Sequence, residues 1–225
     1  EVDFNLSAEA SATIIPIKEE VYLTKSTTLN TVTSVGGPVK FDIKFNAKKL
    51  SPNRTLVNPQ IIDLLPIGLD YERYEVLSTS KLSYKNIEII DNYKSTGRKA
   101  IVVTLNDFSP NSDSEFMIYV YGKINNYATP DGVTTENNNI NEVYFLADNF
   151  KEIPSTVSTS GTSKIADKFD LNGNGKTNDI ILGANSKFIA IFGNELRSEK
   201  YIKKDGGQFV MGGIQTNYGE SFTYR

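Results

Sequence analysis

In VKFDIKF, residues 39–45, every second side chain is apolar: Val39, Phe41, Ile43 and Phe45 alternate with Lys40, Asp42 and Lys44. Successive side chains of a β-strand point to opposite faces of its sheet, so a period of two describes a strand with one dry face and one wet one. The pattern recurs along the chain. KAIVVTLND (99–107) sets Ile101, Val103 and Leu105 on one face, EFMIYVYGKI (115–124) groups Phe116, Ile118 and Val120, and EVYFLAD (142–148) groups Val143, Phe145 and Ala147. Turn-forming clusters separate these runs: SVGGP (34–38), SPN (51–53), STG (95–97), SPNSD (109–113) and ATPDG (128–132). No segment sustains the i, i+3, i+4, i+7 spacing of an amphipathic helix. Short strands joined by polar turns predict an all-β chain folded as a β-sandwich.

Composition excludes several classes of function. With neither Cys nor His among 225 residues, disulfides, thiolate metal sites and imidazole acid–base chemistry are out of reach. A net charge of −3 argues against a nucleic-acid partner, and no apolar run is long enough to span a membrane. Asp and Glu are scattered through turns with no convergent pair, so a turnover enzyme is not expected. The chain opens at Glu1 without a leader-like segment and is expected to be a piece of something longer.

Its two ends echo one another. LSAEASATIIPIKEEVYLTK (6–25) aligns with LGANSKFIAIFGNELRSEK (182–200), so that Leu6 meets Leu182, Ala8 meets Ala184 and Lys25 meets Lys200. An echo at so long a spacing predicts tandem domains rather than a solenoid. The expected organisation is a preceding linker or first strand over 1–20, a sandwich repeat over 21–148, a linker over 149–195, and the start of the next repeat over 196–225.

Three polar residues interrupt apolar faces. Lys25 alternates with Val21 and Leu23, Asp63 with Ile61 and Leu65, and Asn141 with Val143 and Phe145. A lone charge in a core loses its hydration at high cost, so three such residues together predict a shared buried site. The plainer alternative has Lys25 snorkelling outward, Asp63 capping a turn and Asn141 bonding to backbone. Asp42 is a rival acid, although alternation turns it to solvent with Lys40 and Lys44; Asn139 is a rival amide on the face of Asn141.

PQIIDLLPIGLDY (59–71) resembles the Asp-x-Leu-Pro-x-Gly-Leu-x-Tyr signature of a repeat domain found in tandem in Gram-positive surface proteins. GGPVKFDIKF (36–45) and INEVYF (140–145) resemble two further strands of that family, with Pro38 in place of its usual acid and Val143 in place of its usual alanine. The likeness spans about residues 21–148. It implies an immunoglobulin-like or prealbumin-like β-sandwich serving as a stalk of an extracellular, cell-wall-attached adhesin, with adjacent repeats of the same chain as partners. Some members of that family condense a first-strand Lys with a last-strand Asn, assisted by a buried acid. The matching positions here are Lys25, Asn141 and Asp63. The alternative is a ligand-binding module for a host protein or glycan, using the tyrosine-rich strands DYERYEVLS (70–78) and FMIYVYG (116–122).

One stretch looks written for a cation. In DKFDLNGNGKTND (167–179), Asp170, Asn172, Asn174 and Gly175 match positions 1, 3, 5 and 6 of a calcium loop, and Lys176 stands where a backbone carbonyl serves. Ile181 occupies the position of the closing Glu and no helices flank the loop, so an EF-hand is excluded. Asp179 or Asp167 could supply the missing carboxylate, and such hard oxygen donors suit Ca2+. The competing reading is a hairpin turn, since Asn-Gly favours one. Because STVSTSGTS (155–163) has the composition of a linker, the ion is expected to stiffen a joint between domains.

Overall fold

A computed structural model of the chain describes residues 18–28, 31–32, 34–128 and 138–190, together with the strands 201–204, 210–211 and 222–224. In chain order the strands are β1 (Glu19–Thr27), β2 (Thr31–Val32), β3 (Pro38–Lys49), β4 (Gln60–Leu64), β5 (Leu69–Val76) and β6 (Tyr84–Ile90). There follow β7 (Ala100–Leu105), β8 (Glu115–Ile124), β9 (Ile140–Leu146), β10 (Val157–Ser158), β11 (Lys164–Ala166), β12 (Ile180–Lys187) and β13 (Ile189–Ala190). The last three are β14 (Tyr201–Lys204), β15 (Val210–Met211) and β16 (Phe222–Tyr224). The only helical turns among the described residues are two short 3-10 segments, at Tyr93–Ser95 and Gly161–Ser163. The chain divides into two compact units, Glu1–Phe192 and Gly193–Arg225. The second contains a three-stranded sheet in the order β15-β14-β16.

The first unit is a sandwich. One sheet runs β10-β1-β3-β8-β5 and the other β11-β12-β9-β4-β7-β6. Between them lie the residues that alternation assigned inward, among them Val39, Phe41, Ile43 and Phe45 of β3, Phe116, Ile118 and Val120 of β8, and Val143 and Phe145 of β9. Phe45 stacks on Phe145 across the layer at 4.2 Å, and each such buried side chain contributes about 1.5–3 kcal/mol.

The second sheet is buried on its other face too. Ile62, Leu64, Ala100, Val102, Tyr144 and Leu146 form a separate cluster with Ile165, Leu171 and Ile181, with Phe169 packed against it. All six residues of β7 are therefore buried. A strand covered on both sides reads as a continuous apolar run, and AIVVTL is one.

The cover comes from the segment expected to be a linker, which corrects that assignment. Residues 157–190 supply β10, β11, β12 and β13: β12 pairs with β9 from Gly183↔Tyr144 to Lys187↔Ile140, and β10 lies parallel beside β1. Ile181, Leu182, Ala184, Phe188 and Ala190 are buried, so these residues belong to the cores of the sandwich. Ser163, in the Ser/Thr-rich stretch, is buried and its hydroxyl accepts the Leu23 N–H at 3.3 Å. At Gly183 a Cβ would come within 2.1 Å of Ile165 Cγ2 and 2.8 Å of the Val143 carbonyl, so the close approach of β11 requires glycine there. Of the expected terminal echo, residues 182–190 fall in β12 and β13 of this first unit, while 6–17 and 191–200 lie outside the described residues.

Candidate functional site

β1 lies in one sheet while β4 and β9 are neighbours in the other, so Lys25 meets Asp63 across the core on the face that also carries Asn141. The register sets Asp63 opposite Val143, and Asn141 points to the same face two residues earlier, diagonally next to Asp63. Lys25 Nζ lies 2.6 Å from Asp63 Oδ1, with side-chain exposures of 0% and 3%. The centroid of the Phe41 ring lies 5.0 Å from Lys25 Nζ. Asn141 is fully buried, and neither its amide oxygen nor its nitrogen makes a hydrogen bond of normal geometry; nor does Asp63 Oδ2.

Desolvation dominates the electrostatics here. Burial pushes the Lys25 amine below its ordinary pKa, opposed by the charge and hydrogen bond of Asp63. Burial likewise raises the Asp63 carboxyl, opposed by Lys25, by the nearby Asn141 amide and by Arg98. Both directions favour a neutral amine facing a protonated acid. Such a pair beside an unsatisfied carboxamide holds a nucleophile, a proton donor and an acyl carbon in one dry volume. Of the rivals, Asp42 pairs with Lys40 at the surface. Asn139 is buried in the turn before β9, and its carbonyl accepts the Phe188 N–H.

The loop 167–179 is the connection between β11 and β12, pinched at its base by the Asp167 N–H donating to the Asp179 carbonyl at 2.8 Å. Gly173 and Gly175 adopt φ of +70° and +81°, the left-handed backbone that glycine tolerates best. Asp167 does not join a ligand set. It is fully buried, and its carboxylate accepts the backbone N–H groups of Leu171 (2.8 Å) and Asn172 (2.9 Å). Asp170 accepts the Gly175 N–H. The Oδ1 atoms of Asn172 and Asn174 accept the N–H groups of Asn174 and Lys176, while both amide nitrogens turn toward Asp179 Oδ2. Among the described residues no three Asp or Glu side chains converge on one point. Leu171, in the first half of the loop, is buried in the outer cluster of the second sheet. The loop thus covers a face of the second sheet within the first unit.

Alternation did not reveal a second buried charge cluster. Arg98 ion-pairs with Glu142, which also meets Lys168 at 3.3 Å. Glu142 lies on the face of β9 opposite Asn141, a face that reads as solvent-directed until the 160–175 segment is known to cover it. Glu152, whose carboxylate accepts the Asn174 amide at 3.2 Å, was likewise not apparent from the motif.

No family model matches the chain, and no curated protein matches it. Solved structures do. The group B streptococcus pilus 2b backbone protein is similar at 17% identity and TM-score 0.44, over 89% of this chain and 71% of that one. The Corynebacterium diphtheriae major pilin SpaA is similar at 14% and 0.39, over 56% of this chain and 31% of that one. The C-terminal domain of the Streptococcus pyogenes antigen I/II-family protein AspA is similar at 14% and 0.39, over 74% and 46%. The chain spans less than half of the last two. The likeness is loose at these values.

Asp63→Ala strands Lys25 in the core and is expected to cost about 3–5 kcal/mol in chemical denaturation. Asp42→Ala at the surface should stay within about 0.5 kcal/mol. Equal effects from the two would contradict the buried placement.

Proposed function

We propose that this chain is a structural spacer domain of a Gram-positive, cell-wall-attached surface protein, and that Lys25 and Asn141 join in an isopeptide bond across its core. The observation behind it is the buried Lys25–Asp63 contact beside an Asn141 amide with no hydrogen bond of normal geometry. Neutral Lys25 Nζ attacks Asn141 Cγ while Asp63, protonated, polarises the amide oxygen. The Nζ–Cγ bond forms and the Cγ–Nδ2 bond breaks. Asp63 relays a proton from Nζ to the departing Nδ2, which leaves as ammonia, and the acid ends as it began. The product replaces a costly buried charge with an amide. It also closes β2 through β8 inside one covalent loop, so tension entering at β1 passes directly to β9.

The reading as a ligand-binding module for a host protein or glycan finds less support. On the tyrosine-rich outer face, Lys40 Nζ sits 3.4 Å from the Tyr119 ring centroid and Arg73 Cζ 3.6 Å from that of Tyr121, so one face of each of these two rings is already occupied.

Calcium is a second, narrower proposal for the loop, with Asp170, Asn172, Asn174, Asp179 and the Lys176 carbonyl as donors and Asp167 set aside. What supports it is that no Lys or Arg pairs with Asp170, Asp179 or Glu152 among the described residues, which leaves hard oxygen donors without a counter-charge. An ion there would hold the loop against the sheet.

Intact mass should fall short of the sequence by one ammonia. Asn172-Gly173 and Asn174-Gly175 can also lose ammonia by cyclising, so digestion must yield one branched peptide carrying Lys25 and Asn141. Recovery of the two as separate peptides contradicts the bond. For the loop, the melting midpoint is expected to be higher in millimolar calcium than in chelator, with the difference lost in Asp179→Ala; identical midpoints would exclude the ion.

A further inference from the structure

Arg98 lies on the short connection into β7, and its guanidinium spans the ends of two strands. Its Nε donates to the Leu65 carbonyl at 2.8 Å, and one Nη donates both to the Leu64 carbonyl at 2.5 Å and to the Ile140 carbonyl at 2.9 Å. The other Nη is held by Glu142. Leu64 follows Asp63 and Ile140 precedes Asn141, so a single planar group grips the backbone beside both the acid and the amide. It does so where the β4–β9 ladder ends, since Leu64↔Glu142 is the last pair. Beyond that pair the next backbone hydrogen bond between the two segments among the described residues is from the Gly68 N–H to the Asn138 carbonyl at 2.9 Å, so the Arg98 fork bridges the stretch between them.

We propose that Arg98 is a positioning residue for the Lys25–Asn141 condensation, extending the β4–β9 register past its last backbone pair so that the Asp63 carboxyl faces the Asn141 amide. This rests on the isopeptide reading. The geometry needs a fork: an ammonium is a point charge that cannot hold three divergent carbonyls and a carboxylate in one plane. A small displacement of reacting groups is enough to slow a reaction driven by proximity.

Charge gives a readout that a purely structural role would not move. The charges that act on the pair through the second sheet are Arg98 and, with opposite sign, Glu142. Glu142 in turn meets Lys168 of the covering loop, and its charge helps to raise the Tyr144 hydroxyl of β9. The positive charge of Arg98 disfavours an added proton on Lys25 or Asp63, so both limits of the pH–rate profile should move upward when it is removed.

The test follows appearance of the branched peptide in newly translated protein, made in a cell-free system, alongside acquisition of native circular dichroism. Arg98→Lys keeps the charge and loses the fork; it is expected to condense about ten-fold slower per folded molecule, with the pH limits unchanged. Arg98→Met is expected to be slow and to shift both limits upward. Glu142→Gln, which leaves the three carbonyls gripped but unpins the fork, serves if Arg98→Lys does not fold, and is expected to be about three-fold slower. A wild-type rate in Arg98→Lys or, in that case, in Glu142→Gln overturns the positioning role alone. Absence of the branched peptide from the unaltered chain overturns the bond and this role with it.

Discussion

The contact between Lys25 and Asp63 is the interaction around which this sandwich is organised. An amine and a carboxyl sit between sheets whose facing surfaces are otherwise almost wholly apolar, and water cannot reach either. An ion pair so placed gains little over a well-packed hydrophobic contact, because desolvation consumes most of its attraction. Stability alone therefore does not account for its presence. The same desolvation that makes the pair costly favours the neutral amine and neutral acid that a condensation needs.

Everything else about the site follows from topology. Lys25 comes from the sheet that holds β1, while Asp63 and Asn141 come from adjacent strands of the opposite sheet, so only the closed sandwich assembles the three. β1 is fastened on this side by hydroxyl contacts of Thr27 with Ser186 and with the Lys187 carbonyl. On the far side of the second sheet, Arg98 and Glu142 tie the strand ends beneath the site, and the β11–β12 loop covers them. A covalent link from β1 to β9 would leave β10 to β13 outside the closed loop, as the part of the unit still free to extend.

The inner faces were legible because alternation is a direct imprint of burial on one side. It placed Lys25, Asp63 and Asn141 correctly on apolar faces, and it separated Asp42 from them. It could not show that β4, β7 and β9 are covered twice, since Glu142 and Tyr144 read as the wet side of β9 until another segment lies over them. That covering segment was misread because Ser- and Thr-rich composition resembles a linker, whereas here Ser163 is buried and Ile165, Leu171 and Leu182 do the packing. The loop motif was visible by its spacing, but spacing does not tell whether Asp167 turns to an ion or to its own backbone amides, and it turns to the amides. Arg98 left no periodic trace, since it acts from a turn on backbone carbonyls.

The account stands most directly on the covalent state of one lysine nitrogen. In protein labelled with 15N at lysine Nζ, one resonance should appear in the amide range, bearing a single proton and coupled to the side chain of Asn141, and it should vanish in Asn141→Ala. If every lysine nitrogen resonates as an ammonium or amine, the bond is absent and the buried pair is only an ion pair.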